Sequence, residues 1–496
     1  MAPSSPFRHN HAPHCVAAAS RPRRRPLLLG SIGDRGVDVL AGTAVTLLDE
    51  RLPGFRLPDA EGDFGPLIKG TFRLSDIIIS KFSVESKNVE LSFEAQKGVK
   101  TKIAGLEFQI DGSYEVDVKE LVEIKKKGTL RANTEGATAE VVVEMASLKG
   151  HPRLEIFECS LNLGHFAVDL EGGLVDKILD IFKRLIAGGL KRRLDLVVCD
   201  KLVSAVAEEV DTLLQTMALE VTFLDGFRFD FGLTSDPRVG TDSISVPLQG
   251  KFWFTGHEND SSMPRPSGSL KPLSRHEMVC VSLDAQGVFG SAAYAFQKSP
   301  RSRFVVDSDI LKHLPAKVRD FFHCDCPDDL CIGAILPTVR KHCRAGASLQ
   351  FELNATAVVS PIVANSSGVF ATLRTNGTFE LLFPDQTRFD LSDIGSETVV
   401  LLEDSLHVED GSLKGRVRLI STEVSVIYSS FGPISKYFLN LIWDEAVSYV
   451  IRGTVNPLLE KGIQLPRIPH FDLANSSINF GDNQVFFCSD FVLSLE

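Results

Sequence analysis

Tryptophan and tyrosine are scarce in this chain, 2 and 5 among 496 residues, whereas phenylalanine numbers 33. Rings with a polar handle, the usual platform for carbohydrate or peptide, are therefore few, and the aromatic content suits a greasy interior. No uninterrupted apolar run reaches the roughly eighteen residues of a membrane-crossing helix. Positive charge is also in deficit: 53 Lys+Arg face 64 Asp+Glu, a net charge of −11. That balance excludes a nucleic-acid binder working through phosphate contacts. A Gly-x-Ser-x-Gly elbow and a P-loop are both missing, and His276-Glu277 opens like a zincin helix without its second histidine. Catalysis is accordingly not expected.

Nine cysteines are present. Leaving aside Cys15 in the N-terminal tail, the remaining number is even. Asn-x-Ser/Thr sequons occur at Asn259, Asn354, Asn365, Asn376 and Asn475. Together these predict a secreted, extracellular glycoprotein. The start is unlike a secretory signal, because Arg21–Arg25 is followed only by Pro26-Leu27-Leu28-Leu29-Gly30. That apolar stretch is short of the ~7–15 residues required, so residues 1–34 are expected to lie outside the fold.

From residue 35 the patterning is regular. Val37, Leu40, Ala44, Val45, Leu48 and Leu52 recur at helical spacing, ended by Pro53-Gly54. Residues 67–170 change to period two. Phe108, Ile110, Tyr114, Val116 and Val118 alternate with polar neighbours, as in antiparallel strands with one wet face. From Gly172 to Met217 the helical spacing returns in one long stripe that includes Ile178, Phe182 and Leu185. Strands are predicted again over 221–254. Residues 257–278, with three prolines and five serines, read as a linker. The second half repeats the order: a short helix near 308–323, strands over 347–428, a long helix from Pro433 through Phe438, Leu441 and Ile442 to Gly462, and strands over 477–494. Pro457 should kink the last turns of that helix. The predicted class is α+β, in two similar halves, 35–256 and 279–496.

Several segments resemble the family of bactericidal/permeability-increasing and lipopolysaccharide-binding proteins, which also contains phospholipid and cholesteryl-ester transfer proteins. They are GVDVLAGTAVTLLDERLPGFRLPD (36–59), FDFGLTSDP (229–237) with DSISVPLQGKFWF (242–254), VSVIYSSFGPIS (424–435) and VNPLLEKGIQLPRIP (455–469). The resemblance implies two barrels, each a twisted antiparallel sheet wrapped round a long helix, joined by a central sheet in a boomerang. It implies a Cys159–Cys199 disulfide. It also implies an apolar pocket for phospholipid acyl chains in each half, with bound phospholipid as ligand and no other cofactor or metal. The helix stripes then nominate Val45, Leu48, Ile178, Phe182 and Leu185 in the first half, and Phe438, Leu441 and Ile442 in the second. Binding or transfer of lipid is the expected function, with transient contact to a membrane or lipoprotein surface. Lipopolysaccharide binding in innate defence is the alternative. A lipid hydrolase and a ligand-free structural protein are the readings from other classes.

The hairpin at 112–124 carries Glu115, Asp117, Glu120 and Glu123, which disfavours an anionic lipid head there. Lys125-Lys126-Lys127 reads as a solvated turn. No amphipathic tail follows the last predicted strand, which points away from neutral-lipid transfer. His323-Cys324-Asp325-Cys326 with Cys331 and Cys343 has the donors of a zinc site, but its spacing fits no common ribbon. Local disulfides are expected there, in any of three connectivities. By elimination, Cys280 and Cys488 are left for each other.

Overall fold

The computed structural model describes residues 25–63, 69–119, 123–172, 182–184, 186–187, 199, 210–212, 214–270, 273, 277–306, 312, 316–322, 331–335, 337–343, 347–403, 405–430, 432–465 and 471–493. The two halves meet in a six-stranded antiparallel sheet. Its order is Arg238–Val239, Ser243–Leu248, Leu28–Gly33, Val279–Asp284, Gln484–Leu493, Phe471–Gly481. Three strands come from each side of the 257–278 segment. The strand Leu28–Gly33 corrects the expectation that residues 1–34 lie outside the fold. Leu28 pairs with Leu248 on one side and Leu283 on the other, and its side chain is buried. The short apolar run that fails as a signal is long enough for a central strand.

Each half follows its central strand directly with a helix. Asp34–Arg51 follows Leu28–Gly33, as the first helical spacing predicts. Ala285–Lys298 follows Val279–Asp284, and the sequence reading had no helix there. Its buried face is Ala285, Gly287, Val288, Gly290, Ser291, Tyr294 and Ala295, too poor in large apolar residues to show a stripe. Of the short helix expected near 308–323, Ala316–Phe321 is helical and residues 307–311 lie outside the described set.

In the first half, eight strands form one antiparallel sheet around the 22-residue strand Gly98–Lys119. Its first part pairs with Val89–Glu94 and Ala137–Leu148, its second with Gly70–Ser83 and Glu123–Glu135. The bend between them falls at Gly105, whose φ of +65° favours glycine. The even-numbered residues Phe108, Ile110, Tyr114, Val116 and Val118 are all buried, as the alternation requires. Lys125–Lys127 lies on a strand and not in a turn. Lys125 reaches Asp117 at 3.5 Å and Lys127 reaches Glu115 at 3.0 Å across the ladder.

In the second half, five antiparallel strands run in the order Arg303–Val306, Ser348–Asn365, Gly368–Leu382, Arg388–Glu403, Val417–Ser429. Among the described residues neither sheet closes on itself. The late helix Lys436–Val450 packs on this sheet through Leu439 and Trp443. A π-helical turn, Ile451–Val455, precedes the last helix Asn456–Lys461. Pro457 therefore sits in a first turn, where its missing N–H is tolerated. Gly462 ends the helix with φ +91°. The final strand region is a hairpin, Phe471–Gly481 with Gln484–Leu493.

The 257–278 segment has neither strand nor helix among its described residues, yet it is strapped to the helix Ala285–Lys298. The buried carboxylate of Asp284 caps that helix, accepting from Gly287 N at 2.6 Å. It also accepts from Ser267 N at 3.0 Å and Ser267 Oγ at 2.7 Å. Asp260 takes the Tyr294 hydroxyl, and this hydrogen bond holds its pKa down at about 2.

Two outcomes follow from the strap. Asp284→Ala removes the cap and both Ser267 bonds, and should lower stability by about 2 kcal/mol in urea unfolding; a change below roughly 0.5 kcal/mol would contradict the capping role. Asp260 is depressed in the folded state, so its contribution is present above pH ~4 and lost as pH falls towards 2. Hydrogen exchange around residues 260–264 should accelerate in that window, and Asp260→Asn should remove the pH dependence.

Candidate functional site

The candidate site is where helix meets sheet in each half. In the first half this seam belongs to the largest buried cluster, which includes Val45, Leu52, Ile79, Ile110, Tyr114, Phe182 and Ile186. Phe182 lies within a helical stretch at 182–184 and has no exposed surface. Its ring meets Tyr114 edge-on at 5.4 Å and Phe72 at 5.7 Å. Two glycines make room for Tyr114. A β-carbon at Gly128 would lie 2.7 Å from the Tyr114 ring and 1.9 Å from the Glu171 carbonyl oxygen. A β-carbon at Gly172 would lie 2.6 Å from the Tyr114 hydroxyl.

The second-half seam gathers Phe351, Phe379, Leu381, Ile394, Leu439 and Trp443. Phe351 stacks on Phe379 at 4.3 Å and meets Trp443 edge-on at 5.4 Å. The two seams share a polar defect. The Tyr114 hydroxyl and the Trp443 indole N–H are buried without a hydrogen-bond partner among the described residues. Other buried side-chain atoms share that state, among them Ser31 and Ser477 in the central sheet and the indole N–H of Trp253 in the strand Lys251–Phe254. Tyr114 and Trp443 stand out because both lie at a helix–sheet contact lined by apolar side chains. Burial also pushes the Tyr114 phenol pKa up, which keeps it a neutral donor.

Of the residues nominated from sequence, Val45 and Phe182 are brought into one cluster. Ile178 and Leu185 lie outside the described residues. Leu48 is on the helix Asp34–Arg51, and Phe438, Leu441 and Ile442 are on the helix Lys436–Val450, but their side chains lie outside the described set. Tyr114 and Trp443 were not nominated. The signal was available: in a chain so poor in Tyr and Trp, a Tyr at an inward strand position has a polar atom to satisfy.

Cys159 and Cys199 are bonded, with Cα atoms 5.6 Å apart, tying the strand His151–Asn162 to residue 199. Cys280 and Cys488 are bonded across the central sheet, where they are direct register partners. Cys331 and Cys343 are each disulfide-bonded, which removes them as zinc thiolates, while Cys324 and Cys326 lie outside the described residues. Asn259, Asn365, Asn376 and Asn475 are exposed, and Asn365 opens a hairpin turn. Asn354 is half-buried, its amide donating to Glu352 at 3.0 Å, and it pairs directly with Asn376 across the ladder. Among the described residues no helix is long and apolar enough to cross a membrane.

Residues 36–217 match the N-terminal domain of the LBP / BPI / CETP family, and residues 224–493 match its C-terminal domain. Bactericidal permeability-increasing protein of Rattus norvegicus is 20% identical over 92% of each chain. Phospholipid transfer protein of Homo sapiens is 20% identical over 57% of this chain and 55% of its own. A crystal structure of lipopolysaccharide binding protein superposes with a TM-score of 0.60 at 18% identity, covering 95% of this chain and all of the other.

Removing the orphan hydroxyl should help the empty protein. Tyr114→Phe is expected to raise the stability of delipidated protein by about 1 kcal/mol in thermal unfolding. A loss of similar size would mean that the hydroxyl already has a partner.

Proposed function

The chain belongs to the LBP / BPI / CETP family, and from that premise we propose that it is a secreted, non-enzymatic protein that binds phospholipid-like amphiphiles and carries them between surfaces. One observation bears most of the weight. Each helix–sheet seam gathers a cluster of apolar side chains that includes one buried, unpartnered donor, the Tyr114 hydroxyl in one half and the Trp443 N–H in the other. By contrast, the polar side chains that join the late helix to its sheet, Asn440 with Val424 N and Asp444 with Thr422, are paired. An unpaired buried donor costs about 1–3 kcal/mol. A diacyl lipid answers both needs, with acyl chains for the apolar wall at ~0.8 kcal/mol per buried CH₂ and an ester carbonyl for the donor.

Val45, Leu48, Ile178, Phe182 and Leu185 would contact acyl chain in the first half, and Phe438, Leu441 and Ile442 in the second. Because Phe182 is packed against Phe72 and Tyr114, a chain reaching it must part those rings rather than fill a ready slot. Unloading at a membrane or lipoprotein surface would reverse that step. The sequons and the bonded cysteines support passage through an oxidising compartment. The rat relative's name carries a bactericidal role, and the solved structure's title names lipopolysaccharide. A cationic hairpin at 112–124 would support the same ligand here. Instead, Lys125 and Lys127 are spanned by Asp117 and Glu115, so an uncharged or zwitterionic head is the better fit there.

Organic extraction of the purified chain followed by mass spectrometry tests this reading. Stoichiometric phospholipid, or uptake of labelled phospholipid by emptied protein, is expected. Tyr114→Phe should weaken uptake by roughly fivefold, the equivalent of about 1 kcal/mol, while stabilising the empty form. A chain that arrives empty and takes up no label would refute the assignment.

A further inference from the structure

Away from both seams, a cleft of 510 Å³ opens where the 257–278 segment crosses the helix Ala285–Lys298. Leu27, Met263 and Pro264 form apolar wall, Arg25, Lys251 and Arg265 supply the charge, and no carboxylate belongs to the lining. Arg25 and Arg265 have no ion pair among the described residues. By contrast, Arg303, Arg374, Arg388 and Arg416 each hold a glutamate. The Lys251 ammonium donates to the backbone carbonyl of Glu258 and lies 5.8 Å from the Trp253 ring centre.

The acids close by are committed elsewhere. The Glu258 carboxylate accepts from Gly256 N, Asp260 takes Tyr294 and lies 4.0 Å from Lys298, and Asp284 is buried at the helix cap. Two arginines without an ion pair among the described residues therefore line one concave space in a chain whose net charge is −11. Like charges held together repel, and an anion in the cleft relieves that repulsion.

We propose that this cleft binds a phosphate group carried on a partly apolar molecule. Two guanidinium forks suit the paired oxygens of a phosphate. The Leu27, Met263 and Pro264 surface takes the apolar part. The phosphate comes either from the head of an acidic phospholipid or from a soluble phosphate ester. This site is separate from the acyl-chain seams and does not depend on them.

Calorimetric titration of the full chain with inorganic phosphate tests the shared chemistry. Binding is expected, weakened by added salt, and weakened roughly tenfold by Arg265→Gln, the loss of one charge-assisted pair. Arg265 is exposed in an irregular segment, and Arg25→Gln, also at an exposed residue, provides a second variant if the first alters the circular dichroism spectrum. Flotation with vesicles of phosphatidylcholine alone, or of phosphatidylcholine and phosphatidate in equal parts, separates the sources. Selective flotation with phosphatidate, lost in Arg265→Gln, identifies a lipid head. Phosphate binding without vesicle preference identifies a soluble ester. Absence of both phosphate binding and phosphatidate preference overturns the proposal, as does binding unchanged in both variants. Uptake of labelled phosphatidylcholine should be the same in the variants, so failure here leaves the seam reading untouched.

Discussion

The backbone pairing of Leu28–Gly33 with Val279–Asp284 is the constraint from which the architecture follows. Five register pairs, Leu28↔Leu283 to Ile32↔Val279, join residues 247 to 255 positions apart in sequence. Without them each half would expose a bare strand edge. The Cys280–Cys488 bond locks the next strand to the same seam across a sequence separation of 208. A bridge closing so long a loop is worth about 4–5 kcal/mol in the chain-entropy view. Each central strand then launches a helix, so the duplication is built outward from this line. The repeat is one of element order, strand then helix then sheet, followed by helical residues at 182–184 and 214–216 in the first half and by the helix Lys436–Val450 in the second.

Once the halves are fixed, each must cover the apolar face of its own sheet. Helix supplies that cover in both, and both leave one donor unanswered. Buried N–H and O–H groups are seldom left unpaired, because the cost approaches the whole contribution of a good core contact. Keeping a tyrosine and a tryptophan there, in a chain with 33 phenylalanines and only 7 residues of those two types, makes sense if a bound molecule completes the hydrogen bond. Gly128 and Gly172 add to this, since any larger residue would collide with Tyr114 or the neighbouring backbone.

The long alternating and helical stretches were legible from sequence because their physics is local. Strand Gly98–Lys119 shows its inward face in every second residue, and the helix Asp34–Arg51 shows its stripe and its Pro-Gly stop. The helix Ala285–Lys298 was not legible, since it packs through Gly, Ala and Ser under a strap that only tertiary structure reveals. Leu28–Gly33 is not legible as a strand from sequence, because so short an apolar run beside an arginine cluster shows no period of its own until its two partner strands are known. Of the residues that the helix stripes nominate, Val45 and Phe182 lie together in the first-half cluster. The polar members of the site were not legible, because whether a hydroxyl has a partner is a property of the packed state.

Two tryptophans make the central claim directly measurable. Trp443 lies in the second-half seam, and Trp253 lies in the small sheet formed with Phe227–Asp230. In a Trp253→Phe variant, Trp443 is the sole indole. Loading that protein with phosphatidylcholine brominated along its acyl chains should quench most of the fluorescence, while unbrominated lipid should not. Full emission from protein shown to carry the brominated lipid would place the ligand away from the seam and contradict the account.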